Sequence, residues 1–198
     1  MLISYFRGII RCGFRCRLLY AALFVFAQYE TRADQATLKC AEELAQTYKD
    51  YTYGTGNKQK DCVHFVLDVV NCRLKTPVSK EVQNAILIAY GWTDQQAEQK
   101  GQEGTDPRIA GVQYALTEIS NAGKKIDPKD ARPGDIVQYW MPDSDGKWFG
   151  HAAVITKVEG KLATLLGAHK SANAVTLLGK PLNLAGADRH IFVVRIGD

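Results

Sequence analysis

No stretch of this chain is apolar for long enough to cross a bilayer. Its longest uncharged apolar run, Leu18 to Ala27 (LLYAALFVFA), has ten residues, whereas a spanning helix needs about twenty. Metal-binding spacing is also missing: no C-x-x-C and no H-x-x-x-H occurs in residues 28–198, so nothing points to a structural or catalytic zinc. There is no internal repeat and no low-complexity segment, which excludes solenoids and compositional linkers. Excess charge is absent too, once its location is considered. The chain has 25 Lys and Arg against 21 Asp and Glu. Four of those arginines (Arg7, Arg11, Arg15 and Arg17) and none of the acids lie in residues 1–27. The remainder is formally neutral, and the basic balance gives no ground for a nucleic-acid partner.

What is present at the start is a basic segment, a short apolar core and small residues at Val25 and Ala27. These are the parts of a secretory signal peptide over residues 1–27, with an alternative cleavage after Ala33; an uncleaved anchor is the other reading of the long basic start. The expectation is a periplasmic or secreted protein, with no membrane association once the signal is removed. Residues 34–198 are the right length for one domain with one core.

Cysteine usage follows from that. Cys12 and Cys16 leave with the signal, and Cys40, Cys62 and Cys72 remain, an odd number. In an oxidising compartment the economical arrangement is one disulfide and one free thiol. If Cys62 is the reactive one, Cys40 and Cys72 are the pair. Cys72 is ten residues past Cys62, so on a helix it faces elsewhere.

Tyr51 to Cys72 (YTYGTGNKQKDCVHFVLDVVNC) is the stretch that carries chemistry. A Gly-rich segment ends at Asp61-Cys62, and Val63, Phe65, Val66, Val69 and Val70 then recur at helical intervals. Cys62 is thus expected at a helix N-terminus, where free N–H groups and the helix dipole favour a thiolate. Before it, residues 34–50 read as an amphipathic helix with Asp34 as its cap and Leu38, Ala41, Leu44, Ala45 and Tyr48 as its apolar stripe. After it, Val78 to Tyr90 and Ile109 to Ala122 read as helices closed by Gly91 and Gly123. The polar stretch DQQAEQKGQEGTDPR between them reads as a solvated insertion rather than a loop over a cleft.

At residue 132 the pattern changes from helix to strand. Pro133-Gly134 marks a turn, and Ile136 to Trp140, residues 150–158, 162–169, 173–178 and 189–196 read as strands. Helices first and an antiparallel sheet second define an α+β fold. His151 opens the second strand and His169 ends the third, so neighbouring strands can set them side by side. Packing the Cys62 helix over the sheet would bring the thiol to His151. His151 is then the candidate base, His169 the orienting group, and Asn173 its reserve. His64, two residues from Cys62 on the helix, points away from it. His190, beside Asp188 and Arg189, reads as exposed.

These motifs resemble a known family. YTYGTGNKQKDCVHFV is similar to the Tyr…Gly-Gly…Asp-Cys-Ser-Gly-Phe-Val segment of the papain-like cell-wall cysteine hydrolases, the NlpC-type and CHAP-like amidase/peptidase superfamily. RPGDIVQYW and GHAAVITKVEGKLATLLGAH resemble its Pro-Gly-Asp strand, its His-bearing strand and the next one, and GAHKSANAV its Gly-Gly-Asn-Gln…Val stretch. The resemblance covers roughly residues 51–178. It implies a papain-like fold and hydrolysis of amide bonds in peptidoglycan peptides through a thioacyl-enzyme, with no cofactor. Cys62 matches the nucleophile, His151 the base and His169 the third position. Tyr51 matches a substrate- or oxyanion-binding tyrosine, with Tyr53 as the other counterpart. Val63-His64 replaces the family's Ser-Gly. Two other functions fit the same residues: a Cys-His acyltransferase, such as a transglutaminase-like enzyme, and a non-catalytic peptide or cell-wall binding module. Any protein inhibitor is left unspecified.

Overall fold

In a computed structural model, residues 35–87 and 91–197 are described. The signal-peptide expectation on residues 1–27, the alternative end at Ala33 and the Asp34 cap lie outside them.

Helix α1 covers 35–47, and its buried face is set by Ala41 with Leu44, Ala45 and Tyr48 packed alongside. Helix α2, Cys62–Leu74, starts where the Asp61 side chain accepts the His64 N–H at 2.9 Å, and ends at Lys75 in the left-handed region. That carboxylate satisfies one of the orphan donors of the first turn. Two further helices follow, α3 (Lys80–Ile86) and α4 (Asp94–Glu103). A short α5, Gly111–Tyr114, runs on into a π-helical turn, Ala115–Ile119.

The polar stretch read as a solvated insertion is helix α4. Its start is a capping box in which Thr93 and Gln96 satisfy each other's backbone N–H groups. Thr-x-x-Gln is a sequence-level signature of a helix start. Gly101 lets this helix approach the sheet, because a Cβ there would collide with the Trp140 ring. The indole in turn donates to the Ile109 carbonyl at 2.8 Å.

Seven strands form one sheet: β1 (Gly123–Ile126), β2 (Ile136–Pro142), β3 (Trp148–Glu159), β4 (Leu162–His169), β5 (Ala174–Leu177), β6 (Leu182–Asn183) and β7 (His190–Ile196). The order is β1-β7-β2-β3-β4-β5, with β6 also paired to β4, and all pairings are antiparallel. The fold is therefore α+β. Strands β1 and β6 are too short and too polar to stand out by alternation: β1 reads GKKI and β6 is two residues long.

Strand alternation divides the core in two. On one face Ile136, Ala152, Val154, Ala168 and Ile196 pack against Phe65, Val66, Val69 and Val70 of α2 and against Ile86, Val112 and Leu116. On the other, Val137, Tyr139, Ala153, Ile155, Leu165 and Val193 pack with Leu182 and Leu184. The Asp of the Pro-Gly-Asp turn is structural. Asp135 is fully buried, accepts Arg195 of β7 at 2.7 and 2.9 Å and accepts the Arg132 N–H at 2.8 Å. A bidentate pair of this kind holds the start of β2 to β7 in one register.

The disulfide joins Cys40 of α1 to Cys72 near the end of α2, and Cys62 is the free cysteine among the described residues. Among the same residues no helix is long and apolar enough to cross a membrane.

Candidate functional site

Helix α2 begins at Cys62, and its packing on the sheet brings the thiol against β3. Sγ receives the backbone N–H of Ala152, the residue after His151, and that of Val63. The 51–60 segment folds over it. Its own backbone closes it, with Thr52 N–H donating to Lys58 O at 3.1 Å and Lys60 N–H to Thr52 O at 2.9 Å. Asn173, in the turn after β4, accepts the Tyr53 N–H at 3.1 Å. Held from both sides, Tyr53 places its hydroxyl 3.9 Å from Cys62 Sγ, donating to it.

Tyr53 is therefore the tyrosine at the thiol. Tyr51, the residue matched to that place from sequence, packs at a tilt against Tyr48 with ring centroids 4.9 Å apart. Asn173, held in reserve as an orienting group for the imidazole, anchors the Tyr53 backbone instead.

Three rings line up across three strands. Tyr139 of β2 is the direct cross-strand partner of His151 on β3, with ring centroids 5.5 Å apart. His151 stacks on His169 of β4 at 4.7 Å and 30°. The two imidazoles meet face to face, and no hydrogen bond joins them. Nε2 of each is buried with no hydrogen-bond partner. Buried imidazole nitrogens in that state are ready acceptors for a proton or donor that is not yet there.

Burial decides the charge states. It pushes His151 down to about 3, and the neighbouring His169 pushes the same way. Burial also lowers His169, partly offset by the backbone of Thr176 and Leu165. It pushes the Cys62 thiol up, and the Asp61 carboxylate adds to that; the Ala152 and Val63 N–H groups and the Tyr53 hydroxyl act the other way without reversing it. The helix N-terminus expected to favour a thiolate is thus outweighed by desolvation. Thiol and imidazole are both neutral at rest. His64 turns its ring back onto Asp61, with Nδ1 2.8 Å from the carboxylate. His190 stacks on Trp148 at 5.4 Å.

The ring row opens on a cleft of about 790 Å³ lined by Tyr53, Tyr139, His151 and His169 together with Met141 and Phe149. Lys170, Lys180, Arg189 and Asp143 are its charged residues. Cys62 is not among the lining residues; Tyr53 is the one that touches both cleft and thiol. Of the two cleft-facing tyrosines, Tyr139 is the one that the sequence reading passed over. Tyr139 is two residues past Val137 on the same strand face, a position that alternation alone assigns to core.

An α+β protein with a buried thiol at a helix start and an imidazole pair on the adjoining strands is the class that fold and site define. No family model matches this chain, and no curated protein matches it. A solved structure that does match is an N-acetylmuramoyl-L-alanine amidase from Bacteroides uniformis, at 13% identity and a TM-score of 0.44, covering 84% of this chain and 100% of that one. A likeness of that size says nothing about chemistry, which this chain's own residues have to carry.

Proposed function

We propose that this chain is an exported cysteine amidase or endopeptidase of papain-like arrangement that hydrolyses amide bonds in peptidoglycan peptides. The observation that supports the reading is a free thiol at the start of α2 whose Sγ receives the backbone N–H of Ala152, the residue next to His151, whose Nε2 is buried and unpartnered. Two features of the sequence support it: the Asp-Cys, Pro-Gly-Asp and Gly-His motifs in the order of the cell-wall hydrolases, and the export-type start.

The chemistry starts from the neutral pair. As Sγ of Cys62 attacks the scissile carbonyl carbon, its proton passes to the imidazole of His151. The Tyr53 hydroxyl, which donates to the thiol at rest, is placed to donate to the negative charge that develops beside it. Collapse of the tetrahedral species breaks the C–N bond, and the leaving amine takes the proton from His151. Water then attacks the thioester with His151 again as base, releasing the carboxylic acid and restoring the thiol. His169 positions His151 through the ring stack rather than through a hydrogen bond.

One observation favours a second reading. Cys62 lies behind Tyr53, is 7% exposed and does not line the cleft, which suits a peptide-binding module that keeps the fold without turnover.

Digestion of purified peptidoglycan, with new amines and carboxylates located by mass spectrometry, separates the two. Hydrolysis by the mature protein that falls about a hundredfold or more in Cys62→Ala and in His151→Ala is the expected result. Binding of peptidoglycan without any cleavage would leave the module in front, and cleavage that survives Cys62→Ala would remove the thiol mechanism.

A further inference from the structure

The cleft is not electrically neutral. Its lining holds three cations, Lys170, Lys180 and Arg189, and one acid, Asp143. Arg189 is already committed: its guanidinium donates twice to the neighbouring Asp188, at 2.7 and 2.9 Å. Asp143 is committed as well, since its Oδ1 accepts the N–H groups of Asp145 and Lys147 within the β2–β3 turn, at 2.9 and 3.0 Å. The ammonium groups of Lys170 and Lys180 have no ion pair and no hydrogen bond among the described residues. They project from the connections before and after β5, and Lys170 directly follows His169. The lining also holds the apolar Leu178, Met141 and Phe149, the last of which packs on Tyr139 at 6.4 Å and is 40% exposed.

An apolar floor with two uncommitted ammonium groups on its rim matches a ligand of complementary form, an extended chain with an anionic group. Surface cations with no internal partner give up only water when a carboxylate arrives, so each contact gains what an exposed charge pair gains. Neutral peptides would fill the same floor and leave both charges to water.

We propose that Lys170 and Lys180 are specificity determinants that select acidic peptides, holding a free carboxylate of the substrate on the β4–β5 side of the cleft while the scissile amide lies at His151. The selection rests on the hydrolase reading for its reaction, but not for the binding it predicts.

The test pairs two forms of one probe: stem peptides released from peptidoglycan, and the same peptides with their carboxyl groups amidated. Binding is measured by calorimetry to Cys62→Ser protein, and turnover by the active protein, each with and without Lys170→Gln/Lys180→Gln. The native peptides are expected to bind about tenfold more tightly than the amidated ones. That gap should close in the double variant and shrink at 0.5 M salt. In turnover the same gap should lie in KM and not in kcat. Equal affinity for both forms, a gap that persists in the double variant, or binding of neither form each overturns the proposal. Charge preference in calorimetry without cleavage by the active protein would leave the selection standing and remove the hydrolase. Cleavage without charge preference would do the reverse.

Discussion

His151 and His169 share a ring face and no hydrogen bond, their centroids 4.7 Å apart. A third residue that orients a catalytic imidazole through its other ring nitrogen fixes a tautomer. A stacked one fixes the plane of the ring and, as a second titratable group, discourages its protonation.

This bears on acid stability. The ordinary imidazole value of about 6.5 is that of the unfolded chain, whereas His151 in the fold is pushed down to about 3. The unfolded state therefore binds the proton first. Stability from keeping His151 neutral is complete above about pH 6.5 and is lost as pH falls toward 3. Urea unfolding at pH 7 and pH 4.5 should differ by about 2 kcal/mol more in the wild type than in His151→Gln. Equal differences in the two proteins would show that the imidazole is not buried as described.

The thiol titrates in the opposite sense. Because burial raises Cys62, the resting protein at pH 7 should react with iodoacetamide more slowly than a free cysteine, and the rate should climb on the alkaline side. Tyr53→Phe removes a hydroxyl that favours the thiolate, so the climb should move to higher pH. Rapid labelling at pH 6 would establish a preformed thiolate–imidazolium pair in place of the neutral one.

Cys40 and Cys72 are cross-linked across 32 residues of chain. On the loop-entropy account, removing the link costs about 3.5 kcal/mol. Cys40→Ser/Cys72→Ser should lower the urea midpoint accordingly, and a reducing agent should lower the wild type to the same value. Unequal losses would mean that the serines disturb packing beyond the link.

Gly101 meets the Trp140 ring so closely that a methyl group has no room. Alanine is the better helix former by roughly 1 kcal/mol, yet Gly101→Ala should destabilise by about 1–3 kcal/mol through overpacking. Thermal melts decide the sign. A raised midpoint would mean that α4 can lift off the sheet at little cost.

The order of helices and strands was legible where apolar residues recurred at helical intervals, as on α2, and where short apolar runs followed a turn, as on β2 to β4. Helix α4 was hidden because it buries little but a glycine, so it has no stripe to read; its Thr93 and Gln96 capping box was the remaining signal. The stacking of His151 on His169 and the place of Cys62 against β3 were legible from order and spacing, since a helix start and two neighbouring strands leave few ways to meet. The charge states of these residues were not. The dipole argument for a thiolate is local, whereas the desolvation that overrides it depends on Tyr53 and the sheet, which are folded over Cys62 from elsewhere in the chain. The choice between Tyr51 and Tyr53 depended on the hydrogen bond from Tyr53 N–H to Asn173, 120 residues away.

Tyr139, His151 and His169 occupy one row of a sheet whose strand separation, about 4.8 Å, belongs to backbone hydrogen bonding and not to any side chain. The spacing of the reactive rings is therefore inherited from the ladder, and substitutions elsewhere in the core can loosen the protein without changing that pitch. The phase of the row is the exposed point. A slip of one residue in β3 would carry His151 to the face of α2 and turn Ala152 into the cleft. The irregularity between Ile155 and Lys157, where the β3–β4 register shifts, makes such a slip costly. It works as a pawl that keeps a sliding strand in the one notch where the chemistry is assembled.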